Sequence, residues 1–386
     1  MRRIQTQVRP NLQARAQELG FDVLEFDGEP YWDESAYYAF TLREIEDDLE
    51  APSNELAALC VELAGKIVGD ERLLERLQIP RHAWDLIADS WRRRDLSLYG
   101  RFDLAYDGSG RARLLEYNAD TPTALFEAAV FQWLWLEDSI AQNRLPSGAD
   151  QFNSLHEKLV ARLRVAGGGR PLHMAYTLGV KEDQGFIDYL QDCARQAGLS
   201  ATPIGLGDIG LRRNGGFVDL ANRPIGLMFK LEPWEYMLRG DFATSPAMRA
   251  TRFVEPPWKM VLSNKGMLPL LWEMAPRHPN LLEAYFEDDR QCWTLGESYA
   301  RKPLYSREGG NVTLVDRGRE IDSTSGEFGA EGFIRQALVD PPCFSGRYPV
   351  IGSWIIGEEA CGVGVREQAT PITRNSARFV PHAIEG

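Results

Sequence analysis

The stretch from Tyr99 to Ala124, reading YGRFDLAYDGSGRARLLEYNADTPTA, constrains this chain most, because two strand-like runs flank a strong turn signal. Arg101 to Tyr106 and Arg113 to Tyr117 are expected as strands, joined through Asp107-Gly108-Ser109-Gly110, a composition that supplies positive φ. Side chains alternate faces along a strand, so Arg101 shares a face with Asp103, and Glu116 shares one with Asn118. A register that joins those faces gathers Asp103, Glu116 and Asn118 into an all-oxygen cluster beside Arg101. Such a set suits a hard cation such as Mg²⁺. The same spacing serves equally for a polar face turned to water, and the hairpin alone does not choose.

A chain of 386 residues, 44% hydrophobic and 26% charged, has material for two or three subdomains around a buried core. Its formal charge of -13 argues against nucleic-acid or anionic-membrane partners and is compatible with a cationic small molecule. Cys60, Cys193, Cys292, Cys343 and Cys361 are scattered and never form a C-x-x-C pair, which reads as reduced thiols in a cytoplasmic protein. Met1-Arg2-Arg3 is followed by polar residues where a secretory segment needs an apolar run, so no signal peptide is expected. The most apolar window, Ala128 to Leu136, is too short to span a bilayer.

Residues 1–98 read as a helical lead-in, with helices near 10–20, 55–69, 71–77 and 83–94 and with Tyr31, Trp32, Tyr37, Tyr38 and Phe40 as core anchors. Residues 99–166 hold the hairpin and helices near 123–143 and 151–165, ended by Gly167-Gly168-Gly169. From 167 to 256 the texture is β-α-β: strand 172–177, helix 183–197, strand 201–206, then 216–220 and 225–230, hence a small parallel sheet. Residues 257–386 read as α+β, with a strand at 259–262, a helix at 265–274 and strands near 298–304, 312–315, 332–338, 349–356 and 359–366. Glutamate and aspartate at 182 and 183 follow the first strand of the β-α-β unit, where open α/β sheets bind ligands.

Several constellations are missing: no G-x-x-x-x-G-K-[ST] loop, no G-x-S-x-G elbow, no histidines at metal-ligand spacing, and a Gly362-Val363-Gly364 run without its dinucleotide context. What remains is lysines and a loop. Lys265 stands at a helix start, and Lys302 lies on an otherwise apolar strand, where an unpaired ammonium is costly to bury and an anion is a natural partner. A snorkelling surface lysine explains each equally well. Ser306-Arg307-Glu308-Gly309-Gly310-Asn311 offers backbone N–H groups that suit phosphates, or forms a plain turn. Phe333 to Leu338, ending in Gln336-Ala337-Leu338, offers backbone groups that suit an adenine edge and equally an ordinary strand end.

Taken in order, RFD, EYNADTPT, LSNKGMLPLLW, RKPLYSREGGNV, GSWIIG, GVGVRE and ITRNSARFVPH resemble the synthetase domain of glutathionylspermidine synthase and its stand-alone acid–amine ligase relatives, over essentially the whole chain. The resemblance implies an ATP-grasp fold of the α+β class, with ATP between two lobes and Mg²⁺ bridging nucleotide and carboxylates. It implies Asp103, Glu116 and Asn118 as metal ligands and Arg101 and Arg366 as catalytic contacts to phosphate. Lys265 and Lys302 would hold ATP phosphates, the loop of Ser306, Arg307, Gly309 and Gly310 would close over them, and Gln336, Ala337 and Leu338 would form the adenine hinge. Thr121 and Thr123 would contact the acid and Glu182 and Asp183 the amine. The family synthetase is serine-rich where this chain has Thr121 and Thr123, so the acid is open, as are the amine and the oligomeric state. Nothing here has the length or Cys/His arrangement of the bifunctional member's amidase domain, so synthesis alone is expected. The implied activity is amide formation through an acyl phosphate, releasing ADP and phosphate; the alternative is an ATP-binding module that has lost the chemistry.

Overall fold

The computed structural model describes residues 1–26, 28–213 and 215–385. Its organising layer is a five-stranded antiparallel sheet in the order Arg378–Val380, Glu359–Gln368, Tyr348–Ile356, Tyr99–Ala105, Arg113–Asn118. The hairpin therefore forms, and its outer side joins strands from the far end of the chain. Gly108 takes φ +84 in the turn, and the Asp107 carboxylate accepts from Ser109 N at 2.8 Å. Arg101 lies opposite Asn118 and Asp103 opposite Glu116, so the two faces expected to meet do meet; a register shift follows Asp103.

A second antiparallel sheet runs Ala284–Phe286, Phe333–Ala337, Tyr299–Pro303, Thr313–Asp316, Arg319–Ser323. The β-α-β unit is present as a parallel sheet, Arg252–Val254, Leu227–Lys230, Leu172–Tyr176, Ala201–Gly205, with helix Lys181–Gln196 as its crossover. Helix Leu155–Gly167 ends where the triple glycine begins, with Gly168 left-handed. Two large apolar clusters fill the space between these sheets and their helices, one around Leu56, Phe102 and Ile334, the other around Phe131, Phe229 and Trp354. Among the described residues no helix is long and apolar enough to cross a membrane.

Two expectations need correction. The first hundred residues are not a purely helical lead-in: Arg2–Gln5 and Ala36–Phe40 are strands, and Ala36–Phe40 also pairs in parallel with His382–Ile384. Every residue of AYYAF is buried, so the aromatic run is a central strand with a partner on each side. Residues 259–262 are not a strand either; Pro257–Lys259 and Met260–Ser263 are helical turns. A short, fully buried apolar run carries no periodicity that separates helix from strand. Helix Met267–Met274 is as expected, with Pro269 in its first turn, but it starts two residues after Lys265, which stays in the connection.

Glu367 holds the terminal sheet to the five-stranded sheet: its carboxylate takes both Arg3 Nη2 at 2.6 Å and Nε at 2.8 Å and the Tyr38 hydroxyl at 2.6 Å. Removing one partner of a buried pair strands the other, so Glu367→Gln is expected to cost about 3 kcal/mol, read from the midpoint of urea unfolding.

Candidate functional site

The paired faces of the hairpin look into a cleft between the sheets. Arg101 lies along the five-stranded sheet, donating from Nε to Asp103 Oδ1 at 2.6 Å and from Nη1 to the Thr123 carbonyl at 2.8 Å, with its guanidinium over the Trp354 ring. Arg366 reaches Asp103 Oδ2 at 2.7 Å from the other side. Gly352, directly opposite Asp103, makes this possible: a Cβ there would lie 2.7 Å from Arg101 Cδ. The GSWIIG motif thus contributes an absent atom, a role that its sequence did not announce.

Glu116 is flanked by Asn118, whose Nδ2 donates at 3.2 Å, and by Lys265 Nζ at 3.1 Å. Burial alone would raise the Glu116 carboxyl, but the charges of Lys265 and Lys302 override it and hold the group down to about 2. Lys302 is buried and donates to Gln336 Oε1 at 2.7 Å and the Leu115 carbonyl at 2.9 Å, while Gln336 Nε2 donates to the Leu114 carbonyl at 3.0 Å. Burial pushes the Lys302 ammonium down to about 8. The Gln336 side chain is therefore committed to the hairpin backbone, and Ala337 N–H to the Glu283 carbonyl at 2.7 Å.

Two cavities meet here. One is a slot with largely apolar walls, among them Ala300, Leu314, Leu338, Val350 and Ile372, with Lys302 and Gln336 at its floor. The other is a charged cleft that takes in Arg101, Asn118, Thr121, Thr123, Glu182, Asp183, Ser306, Arg307 and Arg366. Asp103, Glu116, Lys265 and Gly309 line both, so the cavities adjoin. Of the loop residues singled out in the sequence Gly310 and Asn311 line neither; Gly310 is buried under Phe328 and shapes the loop from behind. Gly309, at φ +70, passes so close to Thr373 that a Cβ would stand 2.6 Å from its carbonyl oxygen.

The loop is drawn over the cleft. Arg307 donates to Thr121 Oγ1 at 3.1 Å and Glu235 Oε1 at 3.2 Å, and Lys265 donates to the Ser306 carbonyl at 3.1 Å. Ser263, Ser306, Arg307 and Arg374 line the cleft, and Ser263 Oγ, Ser306 Oγ, Arg307 Nε and Arg374 Nε are buried without a partner among the described residues. Buried polar atoms are rarely left so, which marks this stretch of the cleft wall as polar beyond its own hydrogen bonds. Neither Arg374 nor Glu235 stood out in the sequence, since only the folded loop brings them to the cleft.

Glu182 and Asp183 sit in the first turn of helix Lys181–Gln196, on the wall between the cleft and a third cavity lined by Phe21, Phe126, Glu127, Phe186 and Tyr189. Burial first, then Glu127 and Asp183, push the Glu182 carboxyl up to about 7. Among the described residues no three or more His, Cys, Asp or Glu side chains gather as a metal cage. Both Asp103 oxygens accept from Arg101 and Arg366 and Asn118 turns its Nδ2 to Glu116, whereas the Glu116 oxygens each accept one bond and keep a free lone pair.

Fold and site together define a mixed α+β protein with an apolar slot and a charged cleft side by side between two antiparallel sheets. The pattern of the family described as "Glutathionylspermidine synthase preATP-grasp" matches residues 3–385, and the chain belongs to that family. A Haemophilus influenzae protein named "Putative acid--amine ligase" is 39% identical, over 97% of each chain. Trypanothione synthetase of Crithidia fasciculata is 28% identical over 84% of this chain and 53% of its own length. The bifunctional glutathionylspermidine synthetase/amidase of Escherichia coli is 26% identical over 89% and 59%. A glutathione synthetase-like effector from Globodera pallida shares the fold, with TM-score 0.58 at 9% identity over 98% of both chains.

Gly352→Ala should push Arg101 off the sheet at a cost of about 1–3 kcal/mol. Calorimetric unfolding of the variant measures it. The Glu116 carboxyl is held low, so its pairing stabilises the fold above the ordinary carboxylate range and is lost as pH falls from about 4.5 towards 2. Glu116→Gln should flatten that limb of the stability–pH curve.

Proposed function

We propose that this chain is an ATP-dependent acid–amine ligase that joins a small-molecule or peptide-like carboxylate to an amine through an acyl phosphate. The observation that carries the reading is that the apolar slot adjoins the charged cleft across Asp103, Glu116 and Lys265, which line both. An adenine in the slot would lie against Ala337 and Leu338, and its phosphates would run past Lys302 and Lys265 towards Arg101 and Arg366. Named relatives that are ligases support this reading.

Asp103, Glu116 and Asn118 would hold Mg²⁺ together with phosphate oxygens, which neutralises charge on the transferring group. The acid carboxylate, placed at Thr121 and Thr123, attacks the γ-phosphorus, and ADP leaves. Arg101 and Arg366 carry the charge that develops on the phosphoryl oxygens. The Ser306–Asn311 loop, already tied to Thr121 through Arg307, keeps water from the acyl phosphate. The amine enters from the side of Glu182 and Asp183 and attacks the carbonyl; the C–O bond to phosphate breaks, an amide forms, and Glu182 takes the proton the amine gives up. A carboxyl titrating near 7 is matched to that work.

Product analysis with acid and amine panels should give ADP and phosphate only when both substrates are present; AMP and pyrophosphate overturn the reading. Glu116→Gln should lower kcat by about 100-fold or more in a variant that still folds, its melting temperature at neutral pH reduced by the loss of the Glu116 pairing. Glu182 must be ionised and Lys302 protonated, so kcat/KM should rise through about 7 and fall above about 8. Glu182→Gln removes the lower limb.

A further inference from the structure

Two fully buried ion pairs bracket the hairpin, and the ligand-facing residues do not account for them. Before its first strand, the Glu255 carboxylate accepts from Leu98 N at 3.0 Å and Tyr99 N at 2.9 Å, and from Lys259 Nζ at 2.7 Å; Lys259 donates again to the Tyr99 carbonyl at 2.5 Å. After its second strand, Asp120 accepts from Lys230 Nζ at 2.5 Å and from Trp234 N at 2.8 Å. Lys230 closes the central strand Leu227–Lys230 of the parallel sheet, and Glu255 follows its neighbour Arg252–Val254. Trp234 links the two pairs: its indole N–H donates to the Glu255 carbonyl at 3.2 Å, and its ring lies 4.7 Å from Lys230 Nζ. None of Asp120, Lys230, Glu255 and Lys259 exceeds 2% exposure.

Apolar residues of the same volume commonly stabilise a core as well as a buried ion pair does, so stability is a poor reason to bury two. Geometry gives a better one. Asp120 directly precedes Thr121-Pro122-Thr123, whose Thr121 hydroxyl and Thr123 carbonyl are already engaged by Arg307 and Arg101. The opposite part of the hairpin is fastened separately, at Leu114 and Leu115, by Gln336 and Lys302. We propose that Asp120 and Lys230 are positioning residues: with Glu255, Lys259 and Trp234 they clamp the exit of the hairpin to the parallel sheet and so set the height of Thr121 and Thr123 above the phosphate-facing arginines. The proposal rests on the reading that those threonines receive the acid.

The full-length double variant Asp120→Asn/Lys230→Met removes both charges while keeping size and the acceptor for Trp234 N. Its KM for the acid should rise about ten-fold or more with kcat within about three-fold, while the Kd for Mg·ATP by calorimetry stays within about two-fold. Amide exchange at residues 120–124 should quicken about ten-fold, with residues 113–117 unaffected. Unchanged acid KM and unchanged exchange overturn the clamp, as does equal loosening of 113–117, which marks a general packing role. The exchange pattern decides the matter even if no acid–amine pair is turned over, so failure of the ligase reading is told apart from failure of the clamp. Should the double variant not fold, Trp234→Phe removes the indole bond to Glu255 and trims the ring over Lys230 while leaving both ion pairs in place, and the same exchange signature, at about three-fold, is expected.

Discussion

Two carboxylates placed directly opposite each other on neighbouring strands repel, and the pairing of Asp103 with Glu116 is held only because cations close around it. Arg101 comes from the same strand, Lys265 from the connection before a helix, Lys302 from the second sheet and Arg366 from the far end of the chain. Each brings its own element with it. The five-stranded sheet, the second sheet and the helix Met267–Met274 are thus gathered at one point of like charge, and the cleft is the space left between them.

That arrangement separates the tasks of the site in space. Lys302 is buried against backbone carbonyls and Gln336, so its charge is fixed in place before any ligand arrives. Arg307, by contrast, is on a loop and spends its donors on Thr121 and Glu235, bonds that an incoming anion has to exchange. On the proposed reading, a buried cation at the floor and a loop-borne one at the mouth would divide between them the orienting and the admitting of a ligand.

Much of this was legible in the sequence where the signal was local. Alternation put Arg101 with Asp103 and Glu116 with Asn118, and the turn composition marked the hairpin, but that the two faces meet depended on a register only the folded sheet shows. The β-α-β unit was legible because strand and helix periods alternate over short distances. Ala36–Phe40 was not, because what makes it a central strand is His382–Ile384, and no spacing in the sequence records a partner that distant. Residues 259–262 failed for the opposite reason: buried on every side, they carry no pattern at all. Asp120 lay inside the opening stretch and still went unremarked, since a carboxylate whose counter-ion is Lys230 looks, in sequence, like any other acidic residue at a strand end.

Gly352 and Ser353 stand next to each other on one strand and face opposite sides of it. On one side Arg101 leaves no room for a single extra carbon; on the other Ser353 Oγ shares a 2.7 Å hydrogen bond with Ser53 Oγ in a fully buried setting. The first position is filtered by volume, whatever the chemistry of the newcomer, and the second by polarity, at nearly any small size. Two adjacent codons therefore drift under unrelated rules, and a substitution table that treats them as one conserved motif would misjudge both.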